Sequence, residues 1–489
     1  MKDMRKIVLP FLLLACGARE STEIILTQNV YVFKSDVTLS YDRDAGIYNS
    51  VDEDSKGGIH LAFYNVRDAS LMYAYSPAPG KDFKLETVDH IEKLDIGLSA
   101  KIMIDKNSDT PNIIYIQRTD FYPNYIATPF YIKWAKKTGG VWTKQKFDSM
   151  TAKYLDSAMD SKGNIHIAYI DKDSPRLYYA IVTPDGSYSN ELVDTGLGEF
   201  SGVPQGGNID GCVSIAIDIL GNPHIAYYDA ENGNLKYTKK EKGAWSPPET
   251  IKWERVLREP LNFQRSGNNY IAELEHPSDT VRENTIIYAE GEEGNIVVRK
   301  ILENKPEIWG YERLDRIYIK ESEFNPKFNY FISYIRTDTS PEDDGLFCSI
   351  GIDNSQMPNI AYQDLTNLRV NLLKKSQKWE NSNIDNRTPT GFGVKLAMVP
   401  VSQDKKIPFA AYLELARLKI KASYTMSEET PPRWVNLDVI EGENIGLSLS
   451  ITPLTIFRKI ALAYSVVEID RDTKEEKIGL KVAYIPYPR

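Results

Sequence analysis

The chain has 489 residues, 42% of them apolar and 26% charged, with 30 tyrosines and a net charge of −9. These are the proportions of a globular protein; tyrosine on this scale favours pleated strands, and an acidic balance without a Lys/Arg-rich stripe argues against a nucleic-acid partner. Three cysteines, Cys16, Cys212 and Cys348, exclude a disulfide framework, and Cys212 and Cys348 are expected to be buried thiols.

Taken in chain order, the first element is an export address. Lys2, Arg5 and Lys6 precede an apolar run, Ile7 to Leu14, that is too short to span a bilayer. Leu13-Leu14-Ala15-Cys16 then resembles the lipobox of bacterial lipoproteins, although Leu14 stands where a small residue is usual. The resemblance implies cleavage before Cys16 and acylation, palmitate included, of the new N-terminal cysteine. Several acyl chains on one residue anchor a protein stably. The alternative is an ordinary secretory signal with an incidental cysteine. Gly17 rather than Asp follows the cysteine, which by resemblance to enterobacterial lipoproteins implies the outer membrane. The expected organisation is therefore a signal peptide (1–15), a lipidated tether (16–21) and one domain (22–489). No later segment has about 18 uninterrupted apolar residues.

The body is repetitive. Residues 156–180 read DSAMDSKGNIHIAYIDKDSPRLYYA, and residues 213–238 read VSIAIDILGNPHIAYYDAENGNLKYT. Aligned on the aromatic of the Ile-Ala-Tyr core, eight units appear, at Phe63, Tyr115, Tyr169, Tyr227, Tyr288, Tyr362, Tyr412 and Tyr464. The preceding residue is Ala in six of them, which suits crowded inner strands. Each unit parses into four short strands, a to d, with an Asp-x-x-Gly-Asn turn after strand a and an aromatic opening strand d. Repeats of this size with four strands are propeller blades. The expected fold is thus an all-β, single β-propeller of eight four-stranded blades, with seven as the alternative if the Tyr288 unit is something else. The last unit ends after strand c, so an N-terminal run, Ile24 to Leu26 or Val30 to Phe33, is expected to complete it and remove an exposed edge.

Gly-Asn-Ile-His-Ile-Ala-Tyr at 163–169 resembles the core of NHL repeats and the repeats of sialidase-like propellers of exported bacterial proteins. The likeness covers nearly the whole mature chain but is diffuse. The Asp-box and the Phe-Arg-Ile-Pro motif of sialidases are absent. An outer-membrane assembly lipoprotein with an eight-bladed propeller shares the architecture, but its Trp/Gly-centred repeat does not match.

Departures from the repeat are the better pointers to function. Insertions at Gln117 to Phe130, Thr195 to Asp210 and Tyr318 to Asp344, with the connection Trp253 to Ser266, are expected to form one arc on the face of the b–c and d–a turns. The candidate ligand-binding residues there are Arg118, Tyr122, Tyr125, Phe200, Trp253, Arg255, Arg258, Phe263 and Arg265, because aromatic and arginine side chains suit sugar stacking and protein hot spots.

Catalytic signals are weak. His60, His166 and His224 share one repeat position, which points to a repeated structural hydrogen bond rather than to a reaction or a zinc site. Asp229, Glu231 and Asn232-Gly233 faintly resemble a calcium loop but lack its twelfth-position acid. Among the loop acids Asp120, Glu199, Asp210, Glu323, Asp343 and Asp344, no spacing singles out a glycosidase pair. No nucleophile elbow, His-Glu-x-x-His, phosphate loop or Cys-x-x-Cys occurs. The reading is an envelope-anchored, non-catalytic binding or scaffold propeller for a protein or carbohydrate partner, monomeric and without cofactor or metal. The alternative is a glycan-active hydrolase or lyase.

Overall fold

The computed structural model describes residues 26–35 and 48–488, except 66–67, 119–129, 199–212, 252–253, 274–285, 292–295, 302–308, 314–315, 338–343, 365–368, 386–390, 415–416, 428–431, 442–444 and 470–475. Cys16 and the tether lie outside them. Among the described residues every regular element is a strand, and seven antiparallel sheets follow the predicted a–b–c–d order.

Sheet 1 joins Asn49–Glu53, Ile59–Asn65, Ser70–Ser76 and Lys84–Asp89. Sheet 2 joins Asp95–Asp105, Thr110–Arg118, Phe130–Thr138 and Val141–Thr151. Sheet 3 joins Tyr154–Met159, Ile165–Ile170, Leu177–Val182 and Tyr188–Asp194. Sheet 4 joins Val213–Ile217, Pro223–Asp229 and Asn234–Glu241 to a strand d split into Ala244–Trp245 and Glu249–Thr250. Sheet 5 joins Asp344–Ile352, Pro358–Asp364, Arg369–Lys375 and Trp379–Asp385. Sheet 6 joins Phe392–Pro400, Lys406–Glu414, Lys419–Tyr424 and Val435–Ile440. Sheet 7 joins Ile445–Leu454, Lys459–Ile469 and Glu476–Pro486, and its fourth strand is the N-terminal segment Leu26–Ser35, antiparallel to Glu476–Pro486.

Local chemistry explains the strands. The repeat aromatics of these sheets, from Phe63 to Tyr464, are almost wholly buried, and so are the alanines before them. In the a–b turn of sheet 3, Asp160 Oδ1 accepts the Lys162 and Asn164 amides at 2.8 and 2.9 Å. Gly163 there has φ +80°, a conformation side chains rarely adopt. The a strands of successive sheets pack side by side, and that of sheet 7 packs on that of sheet 1. Ser side chains stitch them. Ser50 Oγ accepts the Ile102 amide at 3.1 Å and Ser349 Oγ the Leu396 amide at 3.0 Å. Ser448 Oγ accepts the Asn49 amide at 3.1 Å, bridging the last sheet to the first.

The Tyr288 unit corrects the expectation of eight equivalent blades. Its strands do not form a sheet of the repeat type. Ile296–Ile301, Ile286–Glu290, Asn329–Thr337 and Glu254–Pro260 form one sheet, which continues sheet 5 outward because Glu254 and Arg255 pair in parallel with Glu380 and Asn381 of its strand d. Gln264–Ser266, Asn269–Glu273, Arg316–Lys320 and Trp309–Arg313 form a second sheet. The two share a core that includes Leu261, Ala272, Ile287, Ile317, Ile319, Tyr330 and Ile332. This is an inserted β-sandwich, fixed to the outer edge of sheet 5. Sheets 4 and 5 meet without it: Ser214 Oγ accepts the Ile350 amide at 3.2 Å. Replacing 252–343 by a short Gly/Ser linker is therefore expected to leave a cooperatively folded remainder, checked by a single cooperative denaturant transition.

Candidate functional site

The three repeat histidines form one motif three times. His60, His166 and His224 Nδ1 lie 2.7, 2.6 and 2.7 Å from the hydroxyls of Tyr73, Tyr179 and Tyr237 in the neighbouring strand c. Their Nε2 atoms lie 3.1, 3.3 and 3.5 Å from Asp54, Asp160 and Asp218 of the a–b turns. For His60 and His166 a neutral ring satisfies both partners, donating from Nε2 and accepting the tyrosine O–H at Nδ1; His224 Nε2 faces Asp218 without a hydrogen bond. Burial pushes all three histidines below their usual pKa despite the aspartates. It pushes the three tyrosines far up. Sheets 2 and 5 carry Asn112 and Asn359 at the same position.

Each tyrosine then meets the following sheet. Tyr73, Tyr179 and Tyr237 stand edge-on to Trp142, Trp245 and Trp379, with centroids 5.2 Å apart in every case. The indole N–H groups donate back across the interface to Glu86, Glu191 and Glu249 at 3.0, 2.9 and 3.0 Å. Lys137, Lys240 and Lys375 pair with the same carboxylates. The bracket between sheets 4 and 5 is built like those between 1 and 2 and between 3 and 4, although the inserted sandwich separates the two in sequence. Catalytic-looking Asp, His and Tyr are thus structural ties.

A second clip uses the core tyrosine. Tyr115, Tyr227 and Tyr412 donate to Asp89, Asp194 and Asp385 at the end of the preceding sheet's strand d, at 2.7, 2.7 and 3.0 Å. Lys133, Lys236 and Lys421, directly opposite each tyrosine on strand c, pair with the same aspartates. Burial alone would raise Asp89, but Lys133 and Tyr115 hold it below the usual carboxylate range.

The predicted ligand residues are dispersed. Arg118 ends strand b of sheet 2 and is largely buried against Asp95, donating from Nε at 2.8 Å; Asp95 also accepts from the Tyr64 hydroxyl at 2.9 Å. Arg255 and Arg258 lie on the strand that pairs with the outer edge of sheet 5, and Phe263 packs against the sandwich core. Arg265 pairs with Glu321 at 2.7 Å, both exposed. These four belong to the inserted sandwich. Tyr122, Tyr125, Phe200 and Trp253 lie outside the described residues. Asp229 accepts from the Glu231 amide and from Asn232 Nδ2 at 3.1 and 3.0 Å, the bonds of a plain turn. Among the described residues, no three His, Cys, Asp or Glu side chains converge to hold a metal. Cys348 is buried and free, its thiol pushed up to about 12 by burial; Cys212 is not among the described residues.

Sequence reasoning missed one concavity. A depression of about 540 Å³ opens between sheets 1 and 2 on the b–c and d–a side, lined by Asp68, Ser70, Thr87, His90, Glu92 and Lys93 among others. Its loops have ordinary length, so no insertion signals it.

No protein-family model matches the chain, and no curated protein matches it. Solved structures do. The Aleuria aurantia lectin in complex with Fucα1-6GlcNAc is 7% identical, with a TM-score of 0.39 over 82% of this chain and 97% of the lectin. Polysaccharide lyase Uly1 is 8% identical, with a TM-score of 0.46 over 95% of this chain and 99% of the lyase. The Hadza microbial sialidase Hz136 is 10% identical, with a TM-score of 0.31 over 60% of this chain and 66% of the sialidase. Binding proteins and enzymes both occur among them, and fold does not imply function.

Proposed function

We propose that this chain is a seven-bladed propeller, closed by its N-terminal strand, that serves as an envelope-anchored binding or scaffold protein for a protein or carbohydrate partner. The lipobox-like Leu13-Leu14-Ala15-Cys16 supports the anchor. One observation carries the binding role. The repeated Asp, His, Tyr, Glu and Lys side chains are consumed in ties within and between sheets, while the sequence departs from the repeat in the segments 117–130 and 195–210. The partner engages those two segments, where Tyr122, Tyr125 and Phe200 are the anchors.

The test is a glycan array and an affinity capture with the soluble form starting at Gly17. Replacing Tyr122, Tyr125 and Phe200 together by Ala is expected to weaken binding to the ligand found at least tenfold. Replacing Arg255 and Arg258, on the perimeter, is expected to leave it unchanged. Turnover of any glycan on the array would overturn the binding role in favour of a glycan-active enzyme.

A further inference from the structure

The a–b turns carry a departure from the repeat. Strand a runs into a turn that opens with an Asp acceptor. Its next two residues are Ser55-Lys56 in sheet 1, Lys106-Asn107 in sheet 2, Ser161-Lys162 in sheet 3 and Asn354-Ser355 in sheet 5. In sheet 4 they are Ile219-Leu220, 78% and 80% exposed. The turn does not need them. Its geometry comes from Asp218 Oδ1, which accepts the Leu220 and Asn222 amides at 2.9 and 2.8 Å, and from Gly221 at φ +86°. Two large aliphatic side chains held in water at a turn tip cost solvation free energy and do nothing for the fold.

They have company. Met357 in the a–b turn of sheet 5, Met426 in the c–d turn of sheet 6 and Ile456 in the a–b turn of sheet 7 are exposed as well. The a–b and c–d turns share one face, so these residues form an arc over sheets 4 to 7; Val141, 66% exposed at the c–d turn of sheet 2, lies on the same face outside it. The opposite side shows only Ile91 and Leu418 among its described exposed large apolar residues. The N-terminal strand leaves from the same face as the arc. Leu26 pairs with Tyr484, two residues before the end of strand c of sheet 7, where that strand reaches its c–d side. Ten residues separate Leu26 from Cys16, a reach of at most about 36 Å.

We propose that the a–b and c–d face of sheets 4 to 7 rests on a lipid bilayer, with Ile219 and Leu220 entering its interfacial region. This rests on the anchored reading, in which Cys16 holds the chain to that bilayer. A tether leaving from this face brings it to the surface. The acyl chains hold the protein at the membrane, and the apolar contact fixes which face of the domain lies against it.

The test uses the unacylated form starting at Gly17, which retains all the described strands, and vesicles of phosphatidylethanolamine and phosphatidylglycerol at a 3:1 ratio. The protein is expected to co-sediment, and Ile219→Ser with Leu220→Ser is expected to lower the partition coefficient at least tenfold. Ile456→Ser lowers it less, and Ile91→Ser, on the other face, leaves it unchanged. An unaltered melting temperature of each variant shows that the fold is intact. Failure of the parent protein to co-sediment, or equal binding by the double variant, overturns the proposal. So does a dimer that the double variant dissolves without any vesicle binding, which would make the patch an interface between copies. Incorporation of labelled palmitate into the full chain, lost in Cys16→Ala, tests the anchor separately.

Discussion

Replacing Lys421 by Met is expected to destabilise the protein by about 3–5 kcal/mol, the usual cost of removing one partner of a buried ion pair. Lys421 and Asp385 are 4% and 0% exposed at their side chains. The same ammonium lies 3.6 Å from Glu414, itself buried. Without it, Asp385 keeps the Tyr412 hydroxyl but no longer has this ammonium, while Glu414 keeps Arg417 at 3.5 Å. Replacing Asp385 by Asn in the same chain removes one of the charges and is expected to recover at least half of the loss. Urea unfolding of the parent, both single variants and the double variant measures this. A loss below about 1 kcal/mol for Lys421→Met, the range of exposed pairs, would show that the clip between sheets 5 and 6 is not closed in solution.

The second large effect is on pH. His60, His166 and His224 have folded pKa values below the ordinary 6.5 because burial disfavours the charged ring. The unfolded chain therefore binds more protons than the folded one between those values. Their contribution is fully present above pH 6.5 and is lost as pH falls from 6.5 through the folded values. Each group contributes a slope of at most about 1.4 kcal/mol per pH unit, so three contribute at most about 4. Asp54, Asp160 and Asp218, also held below their usual value, act lower, from pH 3.8 downward. Melting temperatures are thus expected to drop between pH 6.5 and 5, well before carboxylates titrate. Changing all three histidines to Asn, the residue sheets 2 and 5 use there, is expected to flatten that drop. An equal drop in the triple variant would assign it to other groups.

Much of this molecule follows from local patterning. The Asp-x-x-Gly-Asn turn, the Ile-Ala-Tyr strand and the aromatic that opens strand d recur because each satisfies a nearby requirement: a positive φ, a crowded inner strand, a ring for the next sheet. Such features repeat with the chain and can be counted in it, and seven of the eight aligned aromatics lie on the second strand of an a–b–c–d sheet. The shared histidine position likewise pointed to structure rather than chemistry before any distance was known. The Tyr288 unit was misassigned because its Ile286-Ile287-Tyr288 run and Trp309 carry the same short-range signals as a blade. What excluded it was non-local: strand Asn329–Thr337 lies between Glu254–Pro260 and Ile286–Glu290, and the sheet joins sheet 5 in parallel. Pairing partners across tens of residues leave no trace in strand propensity.

The same boundary divides the candidate site. Arg118, Arg255, Phe263 and Arg265 are aromatic or cationic residues in long segments, which was sufficient reason to suspect them. Whether such a residue faces a partner, an internal carboxylate or a core depends on which strand it comes to lie beside. The sequence by itself determined the strand period and the turn chemistry, because these are set by residues a few positions apart. Only the tertiary structure decided which sheets are neighbours, that 254–337 builds a sandwich on the rim, and that the Ile219-Leu220 turn shares a face with the N-terminal strand's point of departure. Those outcomes depend on hydrogen bonds and burial between segments up to hundreds of residues apart.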